Sequence, residues 1–242
     1  MSKPQSALRL DRLLSNLGYA SRKETASACS NGKVTLNGER VTRANTIIPL
    51  KLVRDGALKF QNETVGPLSP LTIMLHKPAG YTCSHSDLGP LVYDLLPPRW
   101  RLRKPSLSTV GRLDKESTGQ LLLTDDGQLL HRIIHPRTHS SKHYHVTTRD
   151  PLNGNESTLF ASGEFFLAND DKPLKPANWK PGNNNSGVMI LTEGRYHQIR
   201  RMFAALGNHV TQLHRFQTGD LILGELTAGQ FQILDANDLN TL

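Results

Sequence analysis

The sequence predicts an α+β protein with two domains, a small amino-terminal module and a larger mixed domain. Two helical patterns and a hairpin signal fill residues 8–60, and a polar stretch with two prolines follows at 61–70. The rest of the chain has many short apolar runs and few helical patterns, which is typical of an α+β domain. The 242 residues are enough for two cores, and we place the domains at 8–66 and 71–238.

The amino-terminal module has clear local signals. Leucines spaced i, i+3, i+4, i+7 predict a helix over residues 8–17 that ends at Gly18; they are Leu10, Leu13, Leu14 and Leu17. Ser21-Arg22-Lys23-Glu24 has the pattern of a capping box, so a second helix begins there and runs to Gly32. Asn37-Gly38 between alternating apolar residues predicts a tight β-hairpin.

The larger domain is predicted to begin with a strand at 71–75. Apolar or alternating runs predict further strands at 121–123 and in "HYHVTT" and "GVMILT". Asp125-Asp126-Gly127 is a suitable cap for a helix that Pro136 ends, and a second helix is predicted over residues 195–206.

The charge balance indicates an anionic partner. Lys and Arg total 29 and Asp and Glu total 21, which gives a net charge of +8 and a pI near 9.7. Nucleic acid is therefore the first candidate. The chain has no apolar run of membrane-spanning length and no apolar signal core near its start, and its two cysteines are not in a CxxC pair. We therefore expect no membrane association, no export, and a reducing cytoplasm.

Two charged segments could carry chemistry. In "VGRLDKESTG" (110–119), Asp114 stands between basic residues beside a buried strand, so it is either an exposed loop acid or part of a site. In the helix "RYHQIRRMFAALG", Arg200 falls at the edge of the apolar face and Arg201 nearly opposite that face. Arg200 could thus reach a half-buried anion, whereas Arg201 faces solvent or phosphate.

The segment "HRIIHPRTHSSKHYH" is rich in histidine. It contains His131, His135, His139, His143 and His145. The spacing of the first two suits a metal, but Pro136 interrupts the helix and no third ligand is placed with them. We favour a solvated, partly RNA-facing segment, and a metal-dependent enzyme is the weakest alternative.

The amino-terminal stretch "LRLDRLLSNLGYASRKETASACSNGKVTLNGERV" resembles the S4 RNA-binding domain. The shared features are the Arg-Leu-Asp start, Ser-Arg before the second helix, and the Gly-Lys-Val-Thr-x-Asn-Gly hairpin. The resemblance implies binding to structured RNA, with contacts expected from the cations Arg12, Arg22, Lys23 and Lys33.

Four motifs in the larger domain resemble those of bacterial pseudouridine synthases, and with the S4 stretch they point to the RsuA group. They are "HKPAGYTCS" (76–84), "VGRLDKESTGQLLLTDDG" (110–127), "SKHYHV" (141–146) and "EGRYHQIRRMFAALGNHVTQLHR" (193–215). Three positions depart from the family pattern: His76 replaces Asn, Gln120 replaces Leu, and Asp125 replaces Asn. A polar Gln120 at the start of a buried strand is expected to loosen local packing.

The resemblance implies a mainly antiparallel catalytic domain that needs no cofactor and no metal. Asp114 is implied as the catalytic carboxylate, Arg200 as its cationic partner, and Tyr144 as the aromatic that stacks on the target base. Phosphate contacts are expected from Lys77, Arg112, Lys142, Arg195 and Arg201.

The implied substrate is a uridine in ribosomal RNA, and 16S rRNA is favoured. A target in 23S rRNA and a non-catalytic S4-based assembly factor remain open as alternatives. We expect a cytoplasmic monomer that acts on the RNA or on a partly assembled small-subunit particle.

Overall fold

A computed structural model describes residues 6–135 and 140–242 of the chain. It divides into two compact units. Unit 1 contains residues 6–71, 96–108 and 124–126, and unit 2 contains residues 72–95, 109–123 and the described part of 127–242.

Unit 1 pairs short helices with short antiparallel strands. Its elements are β1 (Ala7–Arg9), α1 (Leu10–Asn16), α2 (Arg22–Ser30), β2 (Val34–Leu36), β3 (Glu39–Arg40), β4 (Ile47–Pro49), α3 (Leu50–Arg54), β5 (Leu58–Phe60) and β6 (Glu63–Thr64). β1 pairs with β4, and the order β3-β2-β5-β6 forms a second sheet. The leucines of α1 are buried in the core with Val34, Ile48 and Leu58, so the predicted apolar face of this helix is confirmed.

The local signals of this unit fold as predicted. Ser21 and Glu24 form the reciprocal capping box at the start of α2. Asn37 and Gly38 connect β2 to β3 with positive φ angles of 52° and 84°, as the tight hairpin turn requires. Gly18 follows α1 with a φ of 78°, which is the usual left-handed end of a helix.

A second segment of the chain, residues 96–108, also belongs to unit 1. The Arg99 guanidinium lies 4.4 Å from the centre of the Tyr19 ring and donates to the carbonyl of Gly66. Arg103 donates to the carbonyl of Pro67 and forms a fully buried ion pair with Asp125 at 2.8 Å. Two arginines more than 30 residues along the sequence therefore bind the 61–70 segment within unit 1.

The Asp125 side chain does not serve as the helix cap that the sequence predicted, because its carboxylate binds other partners. Its Oδ1 accepts from the backbone N–H of Leu71, and its Oδ2 accepts from Ser69 and Arg103. Both carboxylate oxygens are thus engaged inside unit 1. The following helix, α4 (Gly127–Ile134), ends before Pro136, which lies outside the described residues.

Unit 2 is built on one twisted, mixed sheet. Its strands are β7 (Thr72–Lys77), β8 (Ser108–Thr109, at the boundary), β9 (Thr118–Thr124), β10 (Lys142–Thr148), β11 (Asn178–Pro181), β12 (Ser186–Leu191), β13 (Val210–Thr218), β14 (Leu221–Ile222) and β15 (Phe231–Ile233). The main path runs β11-β12-β10-β13-β9-β7-β15. Its pairs with defined direction are antiparallel except β13–β9. The predicted α+β class, with antiparallel pairing dominant, is confirmed.

The helices of unit 2 are short. They are α4, α5 (Glu156–Ala161), α6 (Gln198–Ala205) and α7 (Ala236–Leu239). Within α6, Ile199, Met202 and Phe203 of the apolar face are buried. This burial fixes the helix rotation and leaves Arg200 at the edge of the packed face.

The start of β9 depends on one glycine. Gly119 has a φ of 105°, and a Cβ atom there would lie 2.0 Å from the carbonyl oxygen of Arg215 on the neighbouring strand β13. Gln120 does not leave its amide nitrogen unpaired, because that group donates to the carbonyl of Leu221 at 2.8 Å. The buried amide oxygen of Gln120 has no hydrogen-bond partner among the described residues. The strand is thus closely packed at Gly119, while the loosening expected at Gln120 stays a prediction.

Among the described residues, every helix is too short or too polar to cross a membrane.

Candidate active site

Asp114 lies in the loop that leads into β9, and its side chain is 31% exposed. Backbone hydrogen bonds fold the loop tightly, from the Ser117 N–H to the Asp114 carbonyl and from the Gly80 N–H to the Lys115 carbonyl. The carboxylate is therefore accessible while its backbone is fixed from two sides.

Lys77 holds the same loop from inside. It ends β7, is fully buried, and its ammonium donates to the carbonyls of Pro78, Lys115 and Ser117 at 2.7–3.0 Å. Burial lowers the pKa of Lys77 to about 8. The expected phosphate contact at Lys77 is therefore wrong, because a buried ammonium with three carbonyl partners does not face RNA. The spacing of residues in the sequence does not indicate whether this lysine is buried or exposed.

Replacing Lys77 with Met is expected to lower the free energy of unfolding by about 1–3 kcal/mol, since buried carbonyl oxygens would lose their donor. Urea unfolding of the purified protein measures this change. Lys115→Met is the matched control, because Lys115 is exposed nearby and its substitution should leave the midpoint unaltered. Equal midpoints for all three proteins would contradict the structural role given to Lys77.

The amino-terminal end of α6 brings two nitrogen groups to Asp114. Arg200 Nε lies 3.6 Å from Oδ2, and His197 Nε2 lies 3.3 Å from Oδ1. The Arg200 guanidinium is held by its hydrogen bond to the carbonyl of Val210 at 2.9 Å. The predicted approach of Arg200 to a half-buried anion is thus found in the structure.

Residue patterns in the sequence predicted no role for His197. A helix-wheel argument does not find it, because His197 precedes the helix and has a left-handed backbone, with φ 49° and ψ 33°. Its contact with Asp114 depends on that conformation, which the spacing of residues in the sequence does not indicate.

Tyr144 lies on β10 between β12 and β13, where its neighbours across the strands are Met189 and Arg215. It is 8% exposed and lines a cavity of about 550 Å³ together with Asp114 and His197. Apolar side chains such as Leu122, Ile199 and Leu213 line it as well. The cavity thus combines an aromatic ring, an accessible carboxylate and apolar walls, which suits a small planar ligand.

Among the charged residues that line the cavity, cations outnumber acids. Its described residues include two acids, Asp114 and Glu193, and five cations, which are Arg112, Lys115, Lys142, Arg195 and Arg215. Such a lining attracts a polyanion to the carboxylate that it surrounds.

Comparison with known proteins identifies the larger part of the chain. Residues 71–205 match the family of RNA pseudouridylate synthases, and residues 8–54 match the S4 domain. The chain belongs to the RNA pseudouridylate synthase family. The predicted resemblances to both are confirmed.

Relatives of this family match nearly the whole chain. "Ribosomal small subunit pseudouridine synthase A" of Vibrio vulnificus is 35% identical over 239 residues, which cover 97% of this chain and 99% of the relative. The protein of the same name from Escherichia coli K12 is 35% identical over 237 residues, covering 96% and 98%. A solved structure described as a pseudouridylate synthase has 35% identity and a TM-score of 0.67, covering 97% of this chain and 99% of that one.

The remaining cations predicted to contact RNA fall into two groups in this pseudouridylate synthase. Arg112 is exposed at the cavity, and Lys142 lines it, where burial lowers the pKa of its ammonium. Arg195 and Arg201 instead donate to the carboxylate of Asp170, each at 2.8 Å or less. Phosphate contacts therefore remain a prediction for Arg112 and Lys142, whereas Arg195 and Arg201 would have to share their guanidinium groups with Asp170.

The cations predicted in the S4 domain are all exposed; they are Arg12, Arg22, Lys23 and Lys33. Of the histidine-rich segment, His143 and His145 lie on β10 with their rings near Phe216, at 5.8 and 4.3 Å between centroids. His139 lies outside the described residues.

Proposed function

We propose that this protein converts a specific uridine of 16S rRNA to pseudouridine. Asp114 carries the proposal, because its carboxylate lies beside Arg200 in a cavity that Tyr144 also lines. Membership of the pseudouridylate synthase family supplies the reaction type.

The reaction is an isomerisation with no net redox change. The bond between ribose C1′ and uracil N1 breaks, the uracil turns within the site, and C1′ joins C5 instead. C5 then loses its proton and N1 gains one, so atoms and electrons balance within the nucleotide and the enzyme's proton-carrying groups.

Asp114 is proposed to act at C1′, where positive charge develops as the glycosidic bond breaks. An ionised carboxylate can bond to that carbon or stabilise its charge, as carboxylates do in glycosidases. Arg200 is proposed to favour the ionised form and to orient it, because a guanidinium within about 4–6 Å of a carboxylate stabilises the negative charge.

Tyr144 is proposed to stack on the detached uracil and keep it in the cavity. A phenol at 8% exposure presents a fixed aromatic face to such a ring. The target nucleotide must leave its stack to reach Asp114, so base flipping is part of the proposal. Among the described residues, the Tyr144 hydroxyl has no hydrogen-bond partner, which leaves it available to exchange a proton with the base.

RNA is proposed to bind along the basic lining of the cavity and the exposed cations of the S4 domain. Phosphate contacts position a nucleic acid without reading its sequence. We further propose that the enzyme is a cytoplasmic monomer and that its substrate is the rRNA, either free or within a partly assembled small-subunit particle.

The 16S assignment follows the names of the relatives, which refer to the small ribosomal subunit. Pseudouridine mapping of both rRNAs from a strain that lacks this gene tests it. We expect the loss of one modified uridine in 16S rRNA, with recovery when the gene is restored. Loss of a 23S position instead would move the target to the large subunit.

A further inference from the structure

His197 occupies a left-handed backbone conformation, which is uncommon for a residue other than glycine. Its φ of 49° and ψ of 33° are left-handed, immediately before α6, and its side chain does not cap that helix. Such a conformation is strained in most non-glycine residues and is concentrated at functional sites. The position of the imidazole is therefore the feature to explain.

The conformation directs the imidazole to the Asp114 oxygen that Arg200 does not approach. Nε2 lies 3.3 Å from Oδ1, while Arg200 Nε lies 3.6 Å from Oδ2. Both separations exceed the roughly 2.7–2.9 Å of a charge-assisted hydrogen bond. Catalytic contacts of this length commonly shorten when the substrate binds.

Tyr196 is the aromatic neighbour of the imidazole. Its ring is stacked on that of His197, with 3.9 Å between centroids and 16° between planes. Tyr196 is itself 78% exposed, so this stack forms at the mouth of the cavity and not in the protein core.

A single partner cannot fix a carboxylate. The terminal torsion of an aspartate side chain is broad, so a donor on one oxygen leaves the plane of the group free to turn. Donors on both oxygens remove that freedom. Nε2 can donate to Oδ1 once the two atoms come closer, in the Nε2–H tautomer and in the protonated ring alike.

We propose that His197 is a positioning residue, which fixes the plane of the Asp114 carboxylate together with Arg200. The inference rests on the proposed role of Asp114 at C1′. His197 serves the chemical step through geometry, so its loss affects the rate of conversion and not the affinity for RNA.

The test compares His197→Phe with His197→Gln. Neither residue has a preference for the left-handed backbone, and the comparison tests the donor group, which Gln retains and Phe lacks. Phe also preserves an aromatic face for Tyr196. Should the Phe variant not fold, His197→Met replaces it, since Met has nearly the length of Gln and no N–H.

The substrate is the small-subunit particle from the deletion strain, incubated with excess enzyme in single-turnover assays. For His197→Phe we expect the maximal rate to fall about 10- to 100-fold, as for a small misplacement of a reacting group. The enzyme concentration that gives half of the maximal rate should not change. The maximal rate of His197→Gln should remain within about threefold of that of the unaltered enzyme.

Three outcomes would overturn the inference. They are a near-normal rate for His197→Phe, equal losses in the Phe and Gln variants, and a change confined to half-saturation. In each of these cases the unaltered enzyme still forms pseudouridine, so the proposed function stands. An unaltered enzyme with no activity on either rRNA would overturn the proposed function, and the inference with it.

Discussion

Asp114→Asn is expected to abolish pseudouridine formation while the protein folds and binds rRNA normally. Asn has the shape of Asp but no negative charge, so it can neither bond to C1′ nor stabilise positive charge there. The rate loss should be on the order of 10⁴-fold or more, as for other groups that act directly on the reacting atoms.

The fold should tolerate this change because the Asp114 side chain is 31% exposed and its loop is fixed through backbone groups. The loop is held at the carbonyls of Lys115 and Ser117, where Lys77 donates. These contacts do not involve the carboxylate that the substitution alters.

Conversion of deletion-strain rRNA, both free and in small-subunit particles, measures activity, and a filter-binding assay on the free RNA measures affinity separately. Glu116→Gln is the control, since it removes an exposed acid two residues away and should leave the rate unchanged. Full activity in Asp114→Asn would remove Asp114 from the mechanism. An unaltered protein that binds rRNA and converts neither 16S nor 23S would favour the assembly-factor alternative.

The elements that sequence patterns predicted correctly depend on neighbours in the chain. The capping box at Ser21 and Glu24 joins residues three apart, and the Asn37-Gly38 turn needs only two positions with positive φ. The apolar faces of α1 and α6 follow from the same local periodicity. In such cases the interaction that stabilises the element is itself encoded over a few residues.

The features that sequence patterns could not supply depend on distant contacts. The sequence pattern predicts Lys77 as a surface cation. In the folded protein three carbonyls surround its ammonium, and two of them belong to residues 38 and 40 positions away. His197 needs an uncommon backbone conformation to reach Asp114. Before the structure, only the motif resemblance assigned Asp114, Tyr144 and Arg200 to one site. Residue types and spacing alone are equally consistent with Asp114 as an ordinary exposed loop acid.

Arg103→Met is expected to lower the free energy of unfolding by about 3–5 kcal/mol, the usual cost of breaking a buried ion pair by removing one partner. The side chains of Arg103 and Asp125 are both 0% exposed and lie 2.8 Å apart. Met fills much of the same volume but leaves the Asp125 carboxylate buried without its cation. Two donors remain on that carboxylate, from Ser69 and Leu71, and they are both neutral.

The exposed pair of Arg149 and Asp150 provides the control. Their side chains are 63% and 52% exposed, so Arg149→Met should change stability by less than about 1 kcal/mol although the N–O distance is the same. The comparison separates burial from distance as the source of the effect. Urea unfolding followed by circular dichroism measures both variants against the unaltered protein.

The double variant Arg103→Met/Asp125→Leu decides what the pair contributes. A buried charge without a partner is costly, but two apolar groups in place of the pair are often close to neutral. We therefore expect the double variant to be more stable than Arg103→Met alone. If it is instead less stable by the full sum of both single changes, the cost lies in the packing of residues 61–71 against this pair and not in an uncompensated charge. The single variants then measure how firmly Arg103 and Asp125 hold that segment.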